Sequence, residues 1–196
     1  MARSPSAGGG RWVPPAEPSD LDDRRADPDA DPEEVARTIC LRLLTLRARS
    51  RAELGQALAA RGVPEPASSK VLDRLAAVGL VDDRVFAGDY VRSRQRDRGL
   101  AVREISRQLR DKGVEETVIT AAVAEAAGDA EAEVARQLVM RKLRSMTKLA
   151  PEVKTRRLVG MLARKGYSPA MAFHVVREVL GAGSGDTAVD ETAWLA

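Results

Sequence analysis

Few residues in this chain can do acid–base or covalent chemistry, and they stand apart from one another. His174, the lone histidine, sits in AMAFHVVREVL between Phe173 and Val175. Imidazole titrates near neutrality and can act as a general base. No motif couples a nucleophile to it, so a packed or surface place on a helix is the better reading. Cys40, the lone cysteine, falls on an Ile- and Leu-rich stripe where a small apolar side chain packs. One Cys cannot form an internal disulfide, and one His cannot build a His-rich metal site. Asp82 and Asp83 form an acidic pair between Leu80-Val81 and Val85-Phe86. Paired carboxylates bind a divalent ion only when further ligands converge, whereas either can accept the free amides at a helix N-terminus. Gly8-Gly9-Gly10 lacks the strand–helix context and the Gly-Lys-Ser/Thr ending of a phosphate loop. The expectation is a protein that is not an enzyme and has no cofactor or metal.

Charge carries more information. The chain is +3 overall, but residues 1–34 hold four Arg against nine acids, and residues 181–196 hold three acids and no base. Residues 35–180 therefore carry 28 bases against 17 acids, or +11. Two groups stand out. Arg92, Arg94, Arg96, Arg98, Arg103, Arg107, Arg110 and Lys112 face only Asp97, Glu104 and Asp111 across 92–112. Arg141, Lys142, Arg144, Lys148, Lys154, Arg156, Arg157, Arg164 and Lys165 share 141–165 with a single acid, Glu152. Arg forks onto carboxylates and phosphates while Lys supplies a mobile point charge. Together the groups suit an acidic protein groove or a nucleic-acid backbone.

The elements that must position these residues are helical. Only 3% of residues are aromatic, so the core must come from Leu, Val and Ala. No run of 18 apolar residues exists, which argues against a membrane span. The N-terminus lacks the apolar core of a signal peptide, so a cytoplasmic protein is expected. Six of the ten prolines lie in residues 1–32, predicting a disordered acidic, proline-rich extension. Residues 181–196 read as a flexible acidic tail, whose Trp194 is more readily a local anchor or nothing than a side chain that docks back or marks a peptide contact. Between them a pattern recurs: Leu54-x3-Leu58-x3-Gly62, Ile105-x3-Leu109-x3-Gly113 and Leu158-x3-Leu162-x3-Gly166, offset by 51 and then 53 residues. Leu72 and Leu75 supply the inward face of a neighbouring helix in the first unit, and Phe86 and Tyr90 do so in the second. Short helices are marginal alone, so three stripes must pack together. The prediction is an all-α, elongated array of three tandem three-helix, helix-turn-helix-like repeats at 33–81, 82–128 and 129–180, with glycine turning each second corner.

A helix-turn-helix unit can place a helix in a major groove, but no helix displays a compelling set of base-reading residues. A regulatory binding protein and a direct DNA-binding regulator both remain open on these grounds. Particular words in the chain then become informative. Leu72-Asp73-Arg74-Leu75 is followed by Gly79-Leu80-Val81-Asp82-Asp83 and Phe86-Ala87. Tyr90-Val91-Arg92-Ser93-Arg94, Leu109-Arg110-Asp111-Lys112-Gly113-Val114 and Leu162-Ala163-Arg164-Lys165-Gly166-Tyr167 extend the series. In this order and spacing, residues 35–180 resemble the bacterial RecX family of regulatory proteins. The resemblance implies a cytoplasmic, monomeric modulator of the RecA recombinase in DNA repair and recombination, usually an inhibitor. It implies binding to RecA or its single-stranded-DNA filament, restraint of filament growth, ATP hydrolysis and strand exchange, and weak direct DNA binding as an accessory. Family members often place Lys or Arg just ahead of the residue that opens the second middle-helix motif. Here Glu104 precedes Ile105, with Arg103 and Arg107 close by.

Overall fold

The computed structural model describes residues 31–124 and 126–182, which form nine α-helices and one π-helical turn among the described residues. The expectations for residues 1–30, including Gly8-Gly9-Gly10, and for residues 183–196, including Trp194, lie outside this described part. The helices are α1 Pro32–Leu46, α2 Arg51–Ala59 and α3 Glu65–Ala77, then α4 Asp83–Ser93, α5 Val102–Asp111 and α6 Glu116–Ala124, and finally α7 Asp129–Leu143, α8 Pro151–Arg164 and α9 Pro169–Ala182. The fold is all-α, in three tandem three-helix units. Every helix pair that packs extensively lies within one unit.

Local chemistry fixes the helix ends. The Asp31 carboxylate accepts from the Glu33 amide at 3.0 Å and Pro32 follows at the first position. Ser50 and Glu53 form a reciprocal capping box at 3.1 and 3.2 Å. The Asp82 carboxylate takes the Arg84 and Val85 amides at 2.8 and 3.3 Å. Gly62, Gly113 and Gly166 end the three middle helices with φ of +76°, +71° and +92°, the left-handed region that favours glycine.

Each unit buries its own apolar stripe. The first collects Ala36, Cys40, Leu54, Leu58, Leu72 and Leu75. The second collects Phe86, Val91, Ile105, Leu109 and Ile119, with Tyr90 half-buried at its margin. The third collects Leu138, Val139, Leu158, Leu162, Val175 and Val176. In the second core, α6 contributes Ile119. The helix is rotated so that Ile119 is enclosed, while Val118, Ala122 and Val123 pack at its sides.

The units meet through one joint used twice. At the first, the Ser50 hydroxyl donates to the Lys112 carbonyl at 2.6 Å, the Lys112 ammonium reaches Glu53 at 2.7 Å, and the Arg51 amide donates to Asp83 at 2.8 Å. At the second, the Ala101 amide donates to the Lys165 carbonyl at 2.9 Å, the Lys165 ammonium reaches the Arg98 carbonyl, and the Val102 amide donates to Glu131 at 2.8 Å. In both, the start of one middle helix receives the end of the next, and an acid from the following unit's first helix takes the amide of its first residue. Asp82 thus caps its own helix, while Asp83 caps α2 of the preceding unit.

Both joints require glycine for closeness as well as for the turn. A Cβ on Gly113 would lie 2.4 Å from the Ala52 Cβ, and one on Gly166 would lie 2.6 Å from the Glu104 Cβ. Gly62, at the same repeat position in the first unit, meets nothing within 4 Å. The Tyr167 hydroxyl adds a hydrogen bond to the Gly99 carbonyl at 3.2 Å across the second joint. Burial pushes the Tyr167 phenol upward, with the Glu131 charge adding to the effect.

Candidate anion-binding surface

The two basic groups come out differently. In the second unit the bases are mostly matched. Arg92 pairs with Asp89 at 2.5 Å, Arg96 with Asp97 at 3.1 Å, and Arg110 with Glu116 at 2.6 Å. Arg107 lies between Glu104 at 2.7 Å and Asp111 at 2.8 Å, one helical turn away on either side. The Arg107 and Gln108 hydrogen bonds hold the Glu104 carboxyl down to about 2. Lys112 is engaged at the joint and lies 5.5 Å from the Tyr90 ring centroid. The Arg94 guanidinium stacks over the same ring at 4.5 Å. That leaves Arg98 and Arg103 exposed and without an ion pair among the described residues.

In the third unit the bases have no such partners. Among the described residues, none of Arg141, Lys142, Arg144, Lys148, Lys154, Arg156, Arg157 and Arg164 forms an ion pair. Lys154 is half-buried and the other seven are exposed. Lys165 is partly desolvated at the joint and faces Arg141. Burial, then that neighbouring charge, lowers its pKa from the ordinary lysine value.

Geometry gathers six of these eight bases around two grooves flanking the end of α7, while Lys148 and Lys154 line neither. One, between α7 and α8, is lined by Lys142, Arg156, Arg157 and Arg164, with Leu149 and Met161 as apolar lining. The other, between α7 and the π-helical turn, is lined by Arg141 of α7, by Arg144 just past its end and by Arg96 from the turn. That turn, Arg94–Arg98, was not expected from the sequence. It ends at Gly99, whose missing Cβ leaves room for the Leu138 side chain, and it delivers Ala101 into the third unit's core. The same bend carries Arg96 to the edge of the third unit. Spacing gave no signal for this because a single five-residue turn of i→i+5 hydrogen bonds is too short for its period to show in the sequence.

The isolated groups have no site around them. His174 is exposed on α9. Cys40 is fully buried in the first core, where desolvation raises its thiol pKa. No group of three His, Cys, Asp or Glu among the described residues could hold a metal ion. No described helix is long and apolar enough to cross a membrane.

Comparison with known proteins follows the same three-unit division. Residues 36–75 match the first three-helix domain of RecX, residues 82–123 the second and residues 129–176 the third. The chain is 49% identical over 163 residues to the regulatory protein RecX of Streptomyces coelicolor, covering 83% of this chain and 87% of that one. It is 50% identical over 166 residues to the regulatory protein RecX of Mycolicibacterium smegmatis, covering 82% and 88%. In three dimensions it is similar to the crystal structure of RecX from Lactobacillus salivarius, with a TM-score of 0.68 at 19% identity, over 76% of this chain and 97% of that one. The structural likeness supports the fold, and the sequence matches go further. With all three domains present in order and about half of the residues shared with relatives along most of the chain, the protein belongs to the RecX family of regulatory proteins.

Proposed function

We propose that this protein restrains a RecA-type recombinase filament on single-stranded DNA, slowing its growth and with it ATP hydrolysis and strand exchange. It acts in the cytoplasm as a monomer, through binding alone. Family membership supplies the class of target. The observation that carries the contact is the third unit's run of eight bases with no carboxylate partner among the described residues. Such a surface takes phosphates or carboxylates from outside without first breaking internal ion pairs. Three units joined through close, glycine-dependent seams present several contact points in fixed relation, so individually weak contacts reinforce one another.

The competing reading, a regulator that reads duplex sequence, has less support. The third helix of a helix-turn-helix unit would enter the groove. Here α6 carries no Lys or Arg, and on α3 both Lys70 and Arg74 are held by Glu33. These two helices offer no free base to a groove, and contact with a phosphate backbone falls instead to the exposed bases of the third unit.

The deciding experiment follows ATP-dependent filament assembly on single-stranded DNA with and without the protein. It uses concentrations too low to coat the DNA. Shorter or shorter-lived filaments are expected. Unchanged filaments, under conditions where the protein is bound to them, would reject restraint. Tight binding to one defined duplex without recombinase would favour the duplex-reading alternative.

A further inference from the structure

We propose that the acidic segment after α9, residues 183–196, folds back into the groove between α7 and α8 and competes there with an anionic partner. The basic face would then be partly self-occluded. This rests on the reading above that the third unit's face takes anions.

Three observations converge. The groove holds about 430 Å³ and combines Lys142, Arg156, Arg157 and Arg164 with the apolar Leu149 and Met161. An occupant suited to it offers several carboxylates together with an apolar anchor. Residues 183–196 contain Asp186, Asp190 and Glu191, no base, and then Trp194 and Leu195. An indole is also a good face for a guanidinium to stack on.

Reach is ample. Glu178 near the end of α9 pairs with Arg136 of α7 at 3.0 Å, which ties the two helices together at that level. Lys142 lies six residues further along α7, about 9 Å at the helical rise. The twelve residues from Ala182 to Trp194 can span up to about 40 Å when extended. A segment tethered this closely has an effective concentration in the millimolar range, so a weak contact suffices to fill the groove much of the time. Residues 1–30 are the other acidic candidate. They include Arg3, Arg11, Arg24 and Arg25 and join the fold at the first unit, so charge and position both favour 183–196.

The test compares the full chain with a chain ending at residue 182 for binding to a fluorescently labelled oligothymidylate. Deletion should tighten binding roughly fivefold at low salt, as expected if the segment fills the groove about four-fifths of the time. The difference should fade at high salt. The full-length variant Asp186→Asn/Asp190→Asn/Glu191→Gln should reproduce the gain. In a Trp12→Phe background Trp194 is the sole tryptophan. Its emission should be that of a shielded indole in the free protein and should shift to the red when the oligonucleotide is added. Unchanged affinity on deletion, or a solvent-exposed Trp194 signal indifferent to the oligonucleotide, would overturn the proposal. So would tighter binding on removal of residues 1–30 in place of 183–196. The double variant Arg156→Glu/Arg157→Glu separates the two readings. If it binds the oligonucleotide as the parent does, the anion-binding face itself is wrong. If it loses binding while deletion of 183–196 has no effect, only the fold-back fails.

Discussion

The second and third units carry basic groups of similar size, eight and nine residues, yet one is largely neutralised at home and the other is not. The difference lies in where acids fall along the helices. On α5, Glu104 and Asp111 flank Arg107 at three and four residues' spacing, and Glu116 waits at the start of α6 for Arg110. On α8 the first-turn acid Glu152 has Arg156 four residues on, but no ion pair forms between them, and there is no second acid. A cluster of like charge is therefore a binding surface only after its internal partners are subtracted. By that measure the free positive charge that the proposed function calls on lies in the third unit and not in the second.

The largest effect expected is on the scaffold. Leu109 is fully buried in the second core, so Leu109→Ala should cost about 2–5 kcal/mol in chemical or thermal unfolding. Unchanged stability would mean the second unit does not depend on that anchor. Next is the face. Reversing Lys142, Arg156, Arg157 and Arg164 to Glu should weaken binding to single-stranded DNA by about a hundredfold and flatten the salt dependence by roughly 3 in log–log slope. Reversing Arg92, Arg107 and Arg110 should change binding by no more than about threefold, since each already faces a carboxylate of its own unit. Equal losses from both sets would erase the distinction between the units. Lys165 is left out of this test because its ammonium holds the second joint.

The joints give a smaller, internally controlled comparison. Gly62→Ala should cost about 1–2 kcal/mol from backbone strain alone, whereas Gly113→Ala and Gly166→Ala should cost about 1–3 kcal/mol more, from the neighbouring side chain each new methyl would strike. Three equal costs in urea titrations would show that the seams can open freely. The smallest effect is in pH. Burial alone would raise the Glu53 carboxyl, but hydrogen bonds from Arg47, Lys112 and the Ser50 backbone, with the Lys112 charge, outweigh it and bring it to about 2. Its ordinary value is 4.5, so its contribution is complete above that pH and is lost as pH falls from 4.5 towards 2. Glu53→Gln should flatten the stability profile in that window, as circular dichroism melts across pH would reveal.

Much of the fold was legible. The 51- and 53-residue offsets, the inward Leu and Ile residues and the capping box at Ser50 are all local or periodic signals, and helices form from such signals. Glu104 shows where that stops. In the sequence it reads as one acid within a basic run; in the structure its backbone and Cβ lie under Gly166 while its carboxylate holds Arg107. Asp83 likewise reads as a cap for its own helix and instead caps the helix of the unit before it.

The sequence by itself determined the three-unit helical plan, the placement of each core and the positive charge of the middle, because side-chain spacing along a helix dictates which residues share a face. Only the tertiary structure decided which charges are available. Whether Arg107 or Arg156 meets a carboxylate depends on rotamers and helix phase, and whether Lys112 or Lys165 is engaged depends on a residue some 60 positions away. Charge on a side chain is written in its chemical type, but the use of that charge is set by what the fold brings within hydrogen-bond distance.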